Sequence, residues 1–255
     1  MIIANFKSNL VNFDRWVDDF VNSCPSLEFF VGIAPPSIYI YEYGSVIKHL
    51  SSQEELDHDM CEMAIGAQDV DHSSGSRTGA ISIEMLDEVG VEFVIIGHSE
   101  RLEFFHENND TIRKKIQALD ESKISTTILC IGETKEENKM GATKDVLKNQ
   151  LSVIDGFELG KNFTIAYEPV WAIGSGHTPE PKDINENHKY IKDVVQSNSE
   201  NNLSPKVLYG GSVNEDNAES FFKEEFVDGA LIGGASLDGK QFANIVNIYN
   251  EINSK

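Results

Sequence analysis

The sequence is short of cysteine, of basic residues and of long apolar runs. Its three cysteines, Cys24, Cys61 and Cys130, are odd in number and widely separated, which suits neither a disulfide framework nor a zinc site. Reduced thiols are expected. Lysine and arginine number 21 against 42 acidic residues, a formal net charge of −21 over 255 residues. That surplus argues against a nucleic-acid or anionic-membrane partner, although a small anion can still be held by local donors. No stretch approaches the roughly 18 apolar residues that a membrane helix needs. The opening MIIANFKSNL lacks a basic region followed by an apolar segment and a small-residue cleavage site, so no secretory signal and a cytoplasmic location are expected. The histidines at 49, 58, 72, 98, 106, 177 and 188 form no i, i+4 pair with a nearby acid, so no metal is inferred.

What is present is ordinary soluble composition, 40% hydrophobic and 25% charged, arranged with a clear rhythm. β-rich apolar runs begin at Ile2, Phe29, Met63, Glu92, Ser125, Phe163, Lys206 and Asp228. Eight runs over this length allow roughly 32 residues each, the size of a βα unit. Several runs carry adjacent apolar residues, as strands buried on both faces do. Between them, DRWVDDFVNS, DTIRKKIQALDES and TKDVLKNQLSVI space apolar residues three and four apart and read as amphipathic outer helices. No composition break or low-complexity linker divides the chain. The expectation is α/β: one domain, residues 1–255, folded as a parallel eight-stranded (β/α)8 barrel.

In such a barrel chemistry sits where strands end and βα loops begin. That rule selects Asn5, Lys7, His98, Glu133, Glu168 and the glycine pairs at 210/211 and 233/234. Asn5 and Lys7 are spaced i, i+2 and leave the same strand face, offering an amide and a cation; taken alone, the segment reads first as a solvated strand-end lysine. His98 is followed by Ser99 and Glu100, favourable helix-start residues, where N–H donors and the positive dipole disfavour imidazolium. A neutral imidazole there can donate to a developing oxyanion, or simply pack against backbone. YGGSV and IGGASL each end a strand with paired glycines, which admit close approach of a ligand and present N–H groups suited to phosphate. Cys130 reads as a small buried apolar group. Glu168 ends an apolar run at the head of a loop that is bounded by Pro169 and Pro179 and contains Gly174 and Gly176. A lone acid there is placed as a base behind a closing loop.

Taken in order, NFK, GAQDV, GHSERLEF, CIGET, AYEPVWAIGSG, YGGSV and IGGASL resemble the triosephosphate isomerase family across the whole length. The resemblance implies a cofactor-free interconversion of dihydroxyacetone phosphate and glyceraldehyde 3-phosphate in glycolysis and gluconeogenesis. It implies that Glu168 is the base, His98 the electrophile, and Lys7 the cation facing the substrate's charge. Asn5 would help position substrate, Glu100 would support Lys7 and Asn5, and Gly174, Ser212, Gly233 and Gly234 would hold the phosphate. A glutamate base, a histidine kept neutral by a helix start, and a loop that closes over them form the pattern documented for this family. Closure of Val170, Trp171, Ala172 and Ile173 would exclude water and protect the enediol phosphate.

The resemblance also implies a homodimer through the third βα loop, DVDHSSGSRTGAIS at 69–82, with Thr78 at the reaching position. Three positions depart from the family pattern. Phe6 replaces a common tryptophan. Ala80 replaces a glutamate that pairs with the partner's arginine at the position of Arg101. Pro179 stands where the family has a residue whose N–H is latched by the tyrosine matching Tyr209, and proline has no N–H. The rival readings are another phosphate-binding barrel isomerase or epimerase, for which AYEPVWAIG does not fit, and a non-catalytic surface or scaffold barrel.

Overall fold

Each of the eight apolar runs contains one strand: β1 (Ile2–Asn5), β2 (Val31–Ala34), β3 (Met63–Ala67), β4 (Phe93–Ile96), β5 (Thr126–Ile131), β6 (Thr164–Tyr167), β7 (Lys206–Tyr209) and β8 (Ala230–Ile232). The structure, a computed structural model, describes residues 1–24, 26–51, 63–73, 75–173 and 178–254. The strands pair in sequence order, all parallel, and β8 returns to β1 to close the barrel. Around it lie α1 (Phe13–Ser23), α2 (Ile40–Ser51), α3 (Ile83–Glu88), α4 (Ser99–Phe104), α5 (Asn109–Asp120), α6 (Lys135–Lys139), α7 (Thr143–Leu151), α8 (Pro181–Asn198), α9 (Ala218–Phe222) and α10 (Gly239–Asn253). This is a TIM barrel. None of the described helices is long and apolar enough to cross a membrane.

The alternation of side chains along a strand divides the core in two. Ile3, Phe93, Ile95, Ile128, Cys130, Ala166, Leu208 and Leu231 fill the barrel interior. Ile2, Ile33, Val94, Ile96, Leu129, Ile165 and Val207 point outward into the layer shared with the helices. The interior is shaped around one ring: a Cβ on Gly32 would lie 2.5 Å from Phe93 Cε1, so a larger residue there would displace the phenylalanine.

Three of the helices, α1, α5 and α7, form where the sequence spacing predicts. α1 is capped by Asn12, whose side chain accepts the Arg15 N–H at 3.2 Å, and it buries Trp16, Val17 and Phe20 on one face. Trp16 stacks on Phe20 with ring centroids 5.2 Å apart, and both meet Phe242 of α10. Burying each such side chain contributes about 1.5–3 kcal/mol. Trp16 Nε1 also donates to Ser236 O at 2.8 Å, which ties this aromatic layer to the turn after β8.

Register positions the site. Tyr167 of β6 is level with Ile131 of β5 and Tyr209 of β7, so the next residues, Glu168, Gly132 and Gly210, share one level at the carboxyl ends of the strands. Ala4 is level with Ile232, which brings Asn5 beside Gly233.

Candidate active site

The carboxyl-terminal mouth of the barrel holds a cavity of about 570 Å³ lined by Asn5, Lys7, His98, Glu168, Ser212, Gly233 and Gly234, among others. Among its described lining residues, Lys7 is the single lysine or arginine and Glu168 the single acid. Glu100 stands just outside and reaches the site through Lys7. Gly174 lies outside the described residues. A slightly larger cavity, about 620 Å³, lies between the 69–81 segment, Arg101 and Lys115, but the strand-end residues named above do not converge on it.

Lys7 occupies the left-handed region at φ 49°, a conformation costing a non-glycine residue about 1–3 kcal/mol. Its surroundings hold it there. Asn5 Oδ1 accepts the Lys7 N–H at 3.0 Å, and Gln68 Nε2 donates to both Lys7 O and Ala34 O at 2.8 Å. The ammonium is 2.7 Å from Glu100 Oε1. A Cβ on Gly233 would lie 3.6 Å from Lys7 Cε, so the lysine and the glycine turn share one wall of the cavity.

His98 caps α4. Its Nδ1 accepts the Glu100 backbone N–H at 3.2 Å, so the ring proton of the neutral imidazole belongs on Nε2. Nε2 is 3.3 Å from Glu168 Oε1. The carboxylate is also approached by Ser99 Oγ, 3.5 Å from Oε2. Both His98 and Glu168 are buried, at 5% and 2% exposure; the donor-bearing edge of one ring and one carboxylate therefore meet at the floor of the cavity with little solvent between them.

The Glu168 backbone is fixed on both sides: its N–H donates to Ile131 O at 2.7 Å, and Gly210 N donates to Tyr167 O at 2.8 Å. A Cβ on Gly210 would lie 2.5 Å from Glu168 Cγ. Gly210→Ala is therefore expected to push the carboxylate aside and lower kcat by about 10²-fold. Steady-state kinetics on the folded variant check this. Cys130 is beneath Glu168, and burial, reinforced by the glutamate's charge, pushes its thiol well above the usual range, the condition of an inert cysteine.

On the opposite wall, Ser212 Oγ donates to Ala172 O at 2.7 Å, and Asn217 Nδ2 holds Ser212 O at 2.9 Å. Gly233 O accepts both the N–H and the hydroxyl of Ser236, at 3.0 and 2.6 Å, which folds the segment after β8 into a tight turn.

Sequence reasoning gave Glu133 no role, yet it is fully buried and accepts hydrogen bonds from Tyr167 Oη (3.0 Å), Trp171 Nε1 (2.9 Å) and Asn138 Nδ2 (3.0 Å). Gln68 was also passed over. The available signal was the same for both: a polar residue directly after an apolar strand run. Tyr209 is fully buried, and its hydroxyl has no hydrogen-bond partner among the described residues; Pro179 is buried.

The triosephosphate isomerase family model matches residues 1–249. The chain is 39% identical to triosephosphate isomerase of Aquifex aeolicus, covering 96% of this chain and 98% of that one. It is 42% identical to the enzyme of Chlamydia felis over 86% of this chain and 84% of that one. With the enzyme of Blochmanniella floridana it shares 36% identity over all of this chain and 97% of the relative. Barrel, strand-end residues and full-length similarity agree: this chain belongs to the triosephosphate isomerase family.

Proposed function

We propose that Glu168 is the base and neutral His98 the electrophile in the interconversion of dihydroxyacetone phosphate and glyceraldehyde 3-phosphate, the reaction the family assignment gives this chain. The observation that carries the assignment of roles is the meeting of Glu168 Oε1 and His98 Nε2 at 3.3 Å in a buried corner of the mouth. Glu168 takes a proton from the carbon beside the carbonyl. The oxygen that gains charge is met by the His98 Nε2–H and the Lys7 ammonium, donors already in place before the reaction begins. Glu168 then returns the proton to the neighbouring carbon, and a hydroxyl proton moves between the two oxygens, so atoms and charge balance. Asn5 holds Lys7 and reaches the same cavity, while Glu100 orients the ammonium. Ser212, Gly233, Gly234 and Gly174 receive the phosphate, and binding there draws the reacting carbons onto the base.

The test is turnover of dihydroxyacetone phosphate by the purified protein in the presence of EDTA, followed by a coupled hydride assay. Rapid chelator-insensitive turnover supports the reading; folded protein without turnover overturns it.

Assembly belongs to the same proposal. The 69–82 loop projects with Gly75, Ser76, Arg77, Thr78 and Gly79 exposed. Near Lys7 a recess of about 410 Å³ is rimmed by Phe104 and Phe105, which are 66% and 63% exposed. A loop and a recess of this kind on one chain suit a two-fold homodimer. Arg101 has no vacancy for a partner's carboxylate: it pairs with Asp69 at 2.8 Å and Glu107 at 2.6 Å within its own chain. Loss of the intersubunit pair at Ala80 therefore leaves no buried charge uncompensated. Sedimentation is expected to give twice the 28.4 kDa chain mass, and a mass near one chain at micromolar concentration would refute the dimer.

With no N–H at Pro179, the Tyr209 hydroxyl has no latch to make there. Tyr209→Phe is expected to leave kcat/KM within about twofold and the thermal midpoint unchanged or raised, because it removes a buried hydroxyl that has no hydrogen-bond partner among the described residues. A cytoplasmic location fits the unpaired thiols of Cys24 and Cys130, given where disulfides persist.

A further inference from the structure

The support of Glu168 extends into the outer helix layer. Glu133 grips the chain on both sides of the base: its carboxylate takes the Tyr167 hydroxyl before it and the Trp171 indole N–H after it, and its backbone carbonyl takes the Val170 N–H at 3.0 Å. The Tyr167 hydroxyl has a second partner, Asn187 Nδ2 of α8, at 3.0 Å. A carboxylate oxygen accepts, so the phenolic proton is committed to Glu133. The phenolic oxygen then has only lone pairs to offer Asn187, which must present its N–H₂. Burial, and next the neighbouring Glu133, push the Tyr167 phenol far above its ordinary range, so that proton stays in place. The adjoining His188 sets its ring edge-on to Tyr167, centroids 5.8 Å apart at 80°. It is held neutral by burial, its pKa lowered to about 3. One helix thus meets Tyr167 at both ring and hydroxyl.

We propose that Asn187 is a positioning residue for the isomerisation: by donating to the Tyr167 oxygen it holds the phenol in the orientation that donates to Glu133 and so fixes the backbone that carries Glu168. The inference rests on Glu168 being the base. Asn187 is not among the described residues that line the cavity, so its effect falls on the chemical step and spares phosphate binding.

The test uses two near-isosteric variants of the full chain. Asn187→Leu removes the donor and is expected to lower kcat about fivefold, the equivalent of one hydrogen bond. Asn187→Asp sets a carboxylate acceptor against the phenol, competes with Glu133 for its proton, and is expected to cost more, on the order of twentyfold. The KM for dihydroxyacetone phosphate should stay within about twofold in both, since substrate binding is not touched. In a Tyr167→Phe background Asn187→Leu should cause no further loss, because the link it breaks is already gone. Should Asn187→Leu fail to fold by circular dichroism, Asn187→Ala carries the same expectation. Wild-type kcat in the leucine and aspartate variants, or an undiminished loss in the Tyr167→Phe background, would overturn the inference. Glu168→Gln is assayed alongside: if it retains activity, the base assignment fails instead.

Discussion

Glu168→Gln is expected to lower kcat by about 10³- to 10⁴-fold, the upper range for loss of a general base, with little change in KM. Glutamine keeps the volume and shape of the side chain but cannot accept a proton from carbon. The neighbourhood should survive the change. The Glu168 backbone is held by Ile131 O, and the side chain's two polar neighbours suit an amide: its oxygen can accept from His98 Nε2 at 3.3 Å, and its N–H₂ can donate to Ser99 Oγ at 3.5 Å. Loss of activity with a thermal midpoint near that of wild type would therefore report chemistry and not folding. A kcat within about tenfold of wild type would mean that another group removes the proton.

His98→Ala should lower kcat by about 10²- to 10³-fold, the usual cost of removing one preorganised donor to a developing oxyanion. It also removes the N-cap of α4, since His98 Nδ1 accepts the Glu100 N–H, a loss of about 1 kcal/mol in stability. The two effects are separable by measuring kcat well below the unfolding transition. If the histidine serves only as the cap, stability falls by that amount while kcat at low temperature stays near wild type, and the electrophile role is lost.

Much of this arrangement was legible in the sequence. The eight apolar runs each produced a strand because period-2 and period-3.6 patterns are local properties, and Asn5, Lys7, His98 and Glu168, selected by the strand-end rule, line one cavity. The glycine turns at 210/211 and 233/234 fell on its walls for the same reason. What escaped was long-range. Lys7 is held in its left-handed conformation by Gln68, 61 positions away, and nothing at either position announces the other. Glu133 was visible as a strand-end acid, but of its donors only Asn138 is near in sequence; Tyr167 and Trp171 come alongside only when β6 pairs with β5. Loss of an ion pair between Arg101 and the position of Ala80 was legible, but not that Asp69 and Glu107 hold the Arg101 guanidinium within the chain. Roles for the phosphate-holding residues came from resemblance; the physics of a glycine pair permits an anion without requiring one.

The central claim is that the isomerisation proceeds by proton transfer through Glu168. Its most direct test is turnover of dihydroxyacetone phosphate in deuterium oxide, with the glyceraldehyde 3-phosphate trapped as it forms and its C2 position examined by NMR. A carboxylate that holds the abstracted proton can exchange it with solvent before returning it. The account predicts deuterium at C2 in the wild-type product, at a rate that tracks turnover and disappears in Glu168→Gln. Full turnover with no solvent deuterium at C2 would point to direct hydride transfer between the carbons and would contradict it.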